Sequence, residues 1–399
     1  MIDRFRVRRP VAEASTDGSA GTWGRYARAL ERHPWRYLCG AAVIALILAI
    51  PTLSLRLGHV DEGADPAGST TREAYDAISS GFGVGANGQF TVVVQPPASA
   101  GSTERNTIAT DLGHALSTTP GVATATPVTT SPDGALLLST VTPTTGPQDA
   151  ATDDLLHTLR EQTIPPVADG APSYVTGMTA GQLDFRDIVA DRLPEIIAIV
   201  IGLAFVILLL TFRSPVLAVK AAVLNLLSIA AAYGVIVAVF QWGWLGWLFG
   251  VDEPVPIESY VPMIMFAIVF GLSMDYEVFL LSRVREAWRS GHDNHGSVAH
   301  GLAVTARVIT SAALIMICVF LAFLASPTVV IKMLALGLGI SVLIDATLIR
   351  LVIVPCAMFL MGKANWWLPA WLDRILPHIE PEPEPEPAPD RPRAPQPLP

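Results

Sequence analysis

Six apolar stretches, each long enough to cross a bilayer as a helix, constrain this chain more than any other feature. A spanning helix needs about 20 predominantly apolar residues. The stretches run near Tyr37–Leu55, Pro194–Phe212, Pro215–Phe240, Pro262–Ser282, Thr305–Leu324 and Val329–Met361. Inside hydrocarbon the backbone has no water to bond, so such segments must be helical. The composition agrees: 51% of residues are hydrophobic and 15% are charged, against about 25% charged in an ordinary soluble domain. The first stretch is not a cleavable signal. Arg36 and Arg56 flank it, and it exceeds the roughly 7–15 residues of a signal core.

Arginine and lysine predict the orientation. Arg25, Arg28, Arg32 and Arg36 precede the first span, Arg213 and Lys220 mark the turn between spans two and three, and Arg283, Arg285, Arg289 and Arg307 follow span four. The segment 241–260 has Asp252, Glu253 and Glu258 and no Lys or Arg. This alternation places both termini in the cytoplasm of a multi-pass cell-membrane protein. Lys220 and Lys332, near span ends, are expected to snorkel. The expected layout is a cytoplasmic segment 1–33, a first span 34–57, an extracytoplasmic domain 58–193, five spans over 194–362 and a cytoplasmic segment 363–399.

The outer segment is polar and rich in Thr, Ser, Gly and Pro. A strand reads at Gln89–Gln95 and a helix at Thr103–Leu116, with Ile108, Leu112 and Leu116 on one face. A second strand reads at Val122–Val128. After the Ser131-Pro132-Asp133-Gly134 turn a third follows at Ala135–Val141. A helix over Ala150–Gln162 and a strand at Ser173–Thr176 complete the order βαββαβ, the split-βαβ or ferredoxin-like pattern. An earlier helix reads at Thr71–Ile78. The fold class is thus a polytopic α-helical membrane protein with one α+β domain. Beyond about His378 proline alternates with Glu or Ala, which predicts an extended, disordered tail.

Ionisable residues inside spans cost at least about 2.5 kcal/mol each on insertion scales, so they point to function. Asp275 lies about eight residues from Arg283 in the fourth span, roughly 12 Å away along the helix, and cannot snorkel that far. It is a candidate proton carrier; a structural carboxyl bonded to another helix is the alternative. Tyr276 diverges from it by about 100° and also needs a partner elsewhere. In the sixth span, Asp345 and Arg350 suit a structural ion pair, with a relay role as the alternative, and Glu277 could share their network.

Other chemistries lack support. The net charge of −9 argues against a nucleic-acid partner. The three cysteines, Cys39, Cys318 and Cys356, all sit in apolar stretches and build no disulfide framework. His292, His295 and Asp293 share a loop with weak metal spacing, and no nucleophile motif or phosphate loop with a Lys occurs. The expectation is a non-enzyme with no cofactor. An intramembrane aspartyl protease is disfavoured because the residues before Asp275 are Gly271, Leu272, Ser273 and Met274, without a Gly-x-Gly-Asp pattern.

The run from Phe270-Gly271-Leu272-Ser273-Met274-Asp275-Tyr276-Glu277 through Phe279 to Glu286 closely resembles the central Asp-Tyr helix of the MmpL family, proton-driven exporters of the RND superfamily. Arg307–Ile315 resembles that family's next helix, and Leu336–Gly339 with Asp345–Pro355 its last. The closing Trp366-Trp367-Leu368-Pro369 also fits. The resemblance covers about Pro34 to Leu376. It implies that the outer domain is an RND porter-type subdomain, that Asp275 and Tyr276 form the proton relay, and that Gly271 and Phe279 line it or an adjoining inhibitor cavity. Full-length members have twelve spans in two halves, each contributing an Asp-Tyr pair. Six spans resemble the second half alone, so the expected partner is a second copy or another six-helix half. The implied activity is proton-driven export of a lipid or related amphipathic metabolite. A regulatory, non-transporting half of a complete transporter is the alternative.

Overall fold

The computed structural model describes residues 22–251 and 253–376. The expectations for the first 21 residues, for Asp252 and for the proline-rich tail lie outside them. The described chain contains, in order, α1 (Thr22–Arg32), α2 (Pro34–Ala49), β1 (Leu57–Gly58), α3 (Thr70–Phe82), β2 (Phe90–Val94), α4 (Ser102–Thr118) and β3 (Val122–Ala125). Next come β4 (Thr129–Thr130), β5 (Leu137–Pro143), α5 (Ala150–Thr158), α6 (Ile164–Ala168), β6 (Ser173–Thr176), α7 (Met178–Phe212) and α8 (Pro215–Ile236). Then β7 (Ile257–Glu258), α9 (Val261–Arg289), α10 (Asn294–Ala322), α11 (Val329–Ile344), α12 (Val354–Met361) and α13 (Ala370–Ile375) follow. Among the described residues, six helical segments are long and apolar enough to cross a membrane: Pro34–Ser54, Met178–Phe212, Pro215–Gln241, Val261–Arg289, Asn294–Ala325 and Val329–Trp366. The protein is a multi-pass membrane protein.

The α+β part is a layer of helices on one antiparallel sheet. The strand order is β3-β5-β2-β6, with β4 paired to β5. Alternation decides which face is covered. Phe90, Val92 and Val94 of β2 and Leu137 and Val141 of β5 are fully buried, while their neighbours are not. Onto that face pack Ile108, Leu112 and Leu116 of α4, spaced four residues apart, and Leu155, Leu156 and Leu159 from the α5 region.

The second spanning helix departs from its expected start. It does not begin at Pro194 but at Met178, directly after β6, and continues through Pro194 for 35 residues. The α+β part is therefore joined to the bundle by an unbroken helix. A proline forfeits one backbone hydrogen bond, and Pro194 is on the exposed side of the helix. Gly177 makes the entry possible: its φ is +125°, and an added Cβ would stand 2.8 Å from the Gln89 carbonyl oxygen.

A second tie is the two-stranded parallel pair of β1 and β7, with Leu57 opposite Ile257 and Gly58 opposite Glu258. It joins the end of the first span to the segment entering α9. Within the bundle, α8 and α11 are central and α2, α7 and α10 peripheral. The apolar window of α8 is 67% buried, against 11% for both α7 and α10. At the end away from the sheet, Ser214 caps α8 by accepting from Leu217 N–H, and Asp293 caps α10 by accepting from Gly296 N–H.

Candidate functional site

Helix α9 carries two polar faces that point in opposite directions. Ser273 and Glu277 are four residues apart, hence on one face, and both are buried. Asp275 is two residues, or about 200°, from Ser273, and it is exposed. The helix thus separates Asp275 from the buried groups rather than joining it to them.

The buried face meets α8 and the end of α11. Arg350 is 1% exposed and Asp345 4%. The Arg350 Nε donates to Asp345 Oδ2 at 2.9 Å, and its Nη2 donates to Ser273 Oγ at 2.7 Å and to the Ser273 carbonyl oxygen. Residues five apart do not align on an α-helix. Here Asp345–Ile353 is π-helical, with i to i+5 bonding, which stacks Asp345 and Arg350 on one side. The Ser273 hydroxyl lies 2.7 Å from Asn225 Oδ1 and 3.0 Å from Asp345 Oδ1. With one proton it can donate to only one of them at a time.

Glu277 and Lys220 complete this interior without closing it. Glu277 Oε1, Lys220 Nζ and Arg350 Nη1 are buried and have no hydrogen-bond partner. Glu277 lies in the field of Arg350, Lys220 and Asp345. Lys220 does not snorkel as expected: its stem is partly exposed, but its ammonium is buried in the bundle, in the field of Glu277. Lys332 does not reach the solvent either. It is 9% exposed and donates to the Phe249 carbonyl at 2.8 Å. The loop after α8 supplies an acceptor and makes snorkelling unnecessary.

Asp275 has different surroundings. No hydrogen bond or ion pair joins its carboxylate to another described residue. Gly271, one turn before it on the same face, is also exposed, and a Cβ added there meets nothing within 4 Å. Tyr276 stands between the two faces. Its hydroxyl is 3.5 Å from Met316 Sδ, and it lies in the fields of Arg350, Asp345 and Asp275 together. Phe279 is half-buried and packs against the core of the bundle. Among the expected site residues, Asp345, Arg350 and Glu277 are brought together, while Asp275 and Gly271 face out of the bundle. Ser273, Asn225 and Lys220 belong to the buried group as well. Their signal in the sequence is a polar side chain within a span, read against partners that only the fold supplies.

No group of three or more His, Cys, Asp or Glu that could hold a metal ion occurs among the described residues. Residues 63–386 match the model of the MMPL family. The chain belongs to the MMPL family. The chain is 37% identical to the mycolic acid-containing lipids exporter MmpL11 of Mycolicibacterium smegmatis, over 90% of this chain and 38% of that protein. It is 35% identical to the membrane protein YdfJ of Bacillus subtilis, over 93% and 50%, and 37% identical to the heme uptake protein MmpL11 of Mycobacterium tuberculosis H37Rv, over 90% and 37%. The chain spans half or less of the length of these MMPL relatives.

Proposed function

We propose that the chain forms one half of a proton-driven MMPL exporter of lipids or related amphipathic metabolites, with Asp275 as the proton carrier and Tyr276 as its hydrogen-bond partner across the seam with the second half. The observation that carries this reading is the position of Asp275: a membrane-embedded carboxylate, exposed on its own bundle and unbonded within it. A buried structural carboxylate would be satisfied within the fold, as Asp345 is. An unbonded one on an open face suits a group that gains and loses a proton against a surface supplied from outside. That surface is a second six-helix half, either another copy or a different chain, covering the poorly buried faces of α7 and α10 beside α9.

In this reading protonation removes a charge from the seam and permits the halves to shift. A proton descending the membrane potential supplies about 2.3 kcal/mol per 100 mV. Tyr276 links the seam to the buried Ser273–Asp345–Arg350 group, so a change at Asp275 reaches the helices that carry the bundle. Both termini lie in the cytoplasm, and the ferredoxin-like, porter-type domain lies outside the cell membrane. The domain rides on α7 and the β1–β7 tie, and movement of α9 is passed to it through β7. A relative named for lipid export favours an amphipathic cargo, and the chain is a transporter rather than an enzyme.

The test is transport in vesicles with an imposed proton gradient. Asp275→Asn should insert and fold as the parent does, because it breaks no bond in the described fold, and should lose export. Normal export by this variant at an unchanged gradient would remove Asp275 from the relay.

A further inference from the structure

At the end of the bundle away from the sheet, α7 and α9 enclose a cavity of about 540 Å³ lined by Thr211, Phe212, Ser282, Arg285, Glu286, Arg289 and Ser290. We propose that this cavity binds the phosphate headgroup of an anionic phospholipid from the leaflet at that end. The site depends on the chain spanning a membrane and not on the export reading.

Three features support it. The first is uncompensated positive charge. Arg285 donates to the Thr211 carbonyl oxygen and lies 6.0 Å above the Phe212 ring, which fixes its guanidinium at the cavity wall. Neither Arg285 nor Arg289 has a carboxylate partner among the described residues. Glu286, the one acid in the lining, is bound to Arg283 at 2.7 Å. Arg289 and Arg213 stand near enough to Arg285 to repel it, so the fold gathers positive charge here. Arg213 is held by Asp373 at 2.5 Å.

The second is donor geometry. A guanidinium presents five donors, and one bond to Thr211 leaves a fork that matches two phosphate oxygens. The third is the track for the acyl chains. Leu203 and Ile207 are 61% and 48% exposed, at one-turn intervals before Thr211 on α7. They lead from the cavity toward the bilayer centre. A free phosphate needs the arginines but not this apolar track, which favours the lipid. A cavity of this size suits a headgroup, and basic pockets between spanning helices are where acidic headgroups dock.

The experiment is native mass spectrometry of the full chain in detergent, titrated with phosphatidylglycerol or phosphatidylcholine. Phosphatidylglycerol should bind at least tenfold more tightly than phosphatidylcholine. Arg285→Gln combined with Arg289→Gln should weaken phosphatidylglycerol about tenfold. Arg289→Gln alone, which removes no bond of the fold, should weaken it about threefold. Arg285→Lys should keep part of the affinity by keeping the charge. Arg36→Gln, at the same end of the bundle but outside the cavity, should bind as the parent does. Equal binding of the two lipids, an unaltered affinity in Arg289→Gln and the double variant, or full displacement by equimolar inorganic phosphate would overturn the proposal.

Discussion

Asp345 and Arg350 are five residues apart in one helix and form an ion pair of 2.9 Å, because the backbone from Asp345 to Ile353 is π-helical. The pair is almost wholly buried, so its desolvation is costly and its geometry must compensate. Removing one partner therefore does more harm than removing both. Arg350→Met should lower stability by about 3–5 kcal/mol, since it strands the Asp345 carboxylate. Asp345→Leu with Arg350→Met should recover most of that loss. Thermal unfolding of the purified variants in one detergent checks the order; a double variant as unstable as the single one would show that the pair itself holds the helices together.

Much of this architecture is legible from local signals. Each of the six apolar stretches appears as a helix, because length and hydrophobicity alone make a span. The alternation in Phe90–Val94 and the four-residue spacing of Ile108, Leu112 and Leu116 likewise carry their own geometry. What stays hidden depends on distant partners. No local pattern announces the π-helical turn that pairs Asp345 with Arg350. Ser273 and Asn225 look like ordinary small polar residues until three helices bring them to one point. Lys220 reads as a snorkelling lysine because it lies five residues from the end of its span, yet its ammonium is drawn inward. The second apolar stretch reads from Pro194 because the residues before it are polar, but the helix begins sixteen residues earlier behind Gly177. That Asp275 needs a partner beyond its own helix follows from its place in the span, but its exposure and the direction it faces needed the packing of α9.

The β1–β7 tie between the first span and the entry to α9 should respond to pH. His59 Nδ1 lies 3.1 Å from Glu258 Oε2, and the same carboxylate oxygen accepts from Val60 N–H at 2.9 Å. The hydrogen bond to Glu258 holds the imidazole pKa above its usual value; burial opposes this, and Glu258, Asp61 and Glu62 add to the rise through their charges. A raised histidine pKa stabilises the folded tie fully below the ordinary value of about 6.5, and that contribution is lost as pH rises through the folded value. After correction for intrinsic exchange, the Val60 and Ser259 amides should be better protected from hydrogen exchange at pH 6 than at pH 8. His59→Gln should abolish the difference. Equal protection in the parent at both pH values would show that the β1–β7 backbone bonds suffice.

Close packing of the first and third spans hinges on a single missing side chain. A Cβ built on Gly234 would lie 1.8 Å from the Leu48 carbonyl oxygen and 3.2 Å from Pro51 Cδ. The obstacle is backbone, which cannot rotate away. Gly234→Ala should separate α2 from α8 and cost at least the ~1–3 kcal/mol typical of overpacking. Gly202→Ala on α7, where nothing lies within 4 Å, should be neutral or stabilising by up to about 1 kcal/mol from helix propensity. Melting temperatures of the two variants in detergent should move apart; a Gly234→Ala protein as stable as the parent would mean that α2 can slide without penalty.

The last prediction concerns what covers Asp275. Its face of α9 also displays Gly271, with open space above it, and the neighbouring α7 and α10 are the least buried spans. A bare carboxylate facing lipid tails is costly. A second half that presents a tyrosine or another donor there would bond it, and a pseudo-twofold seam would set each Asp275 against its counterpart's Tyr276. The native thiols at Cys39, Cys318 and Cys356 would first be replaced, since two of them are exposed. Single cysteines at Gly271 and at Ile268, both on the open face, should then crosslink between chains in native membranes. A cysteine at Ser273, on the opposite and buried face, should not. A product of twice the chain's mass indicates two copies, and any other mass indicates a different second half. If transport is complete while Gly271→Cys and Ile268→Cys crosslink to nothing, the seam faces lipid alone. The charge on Asp275 must then be managed within its own six helices.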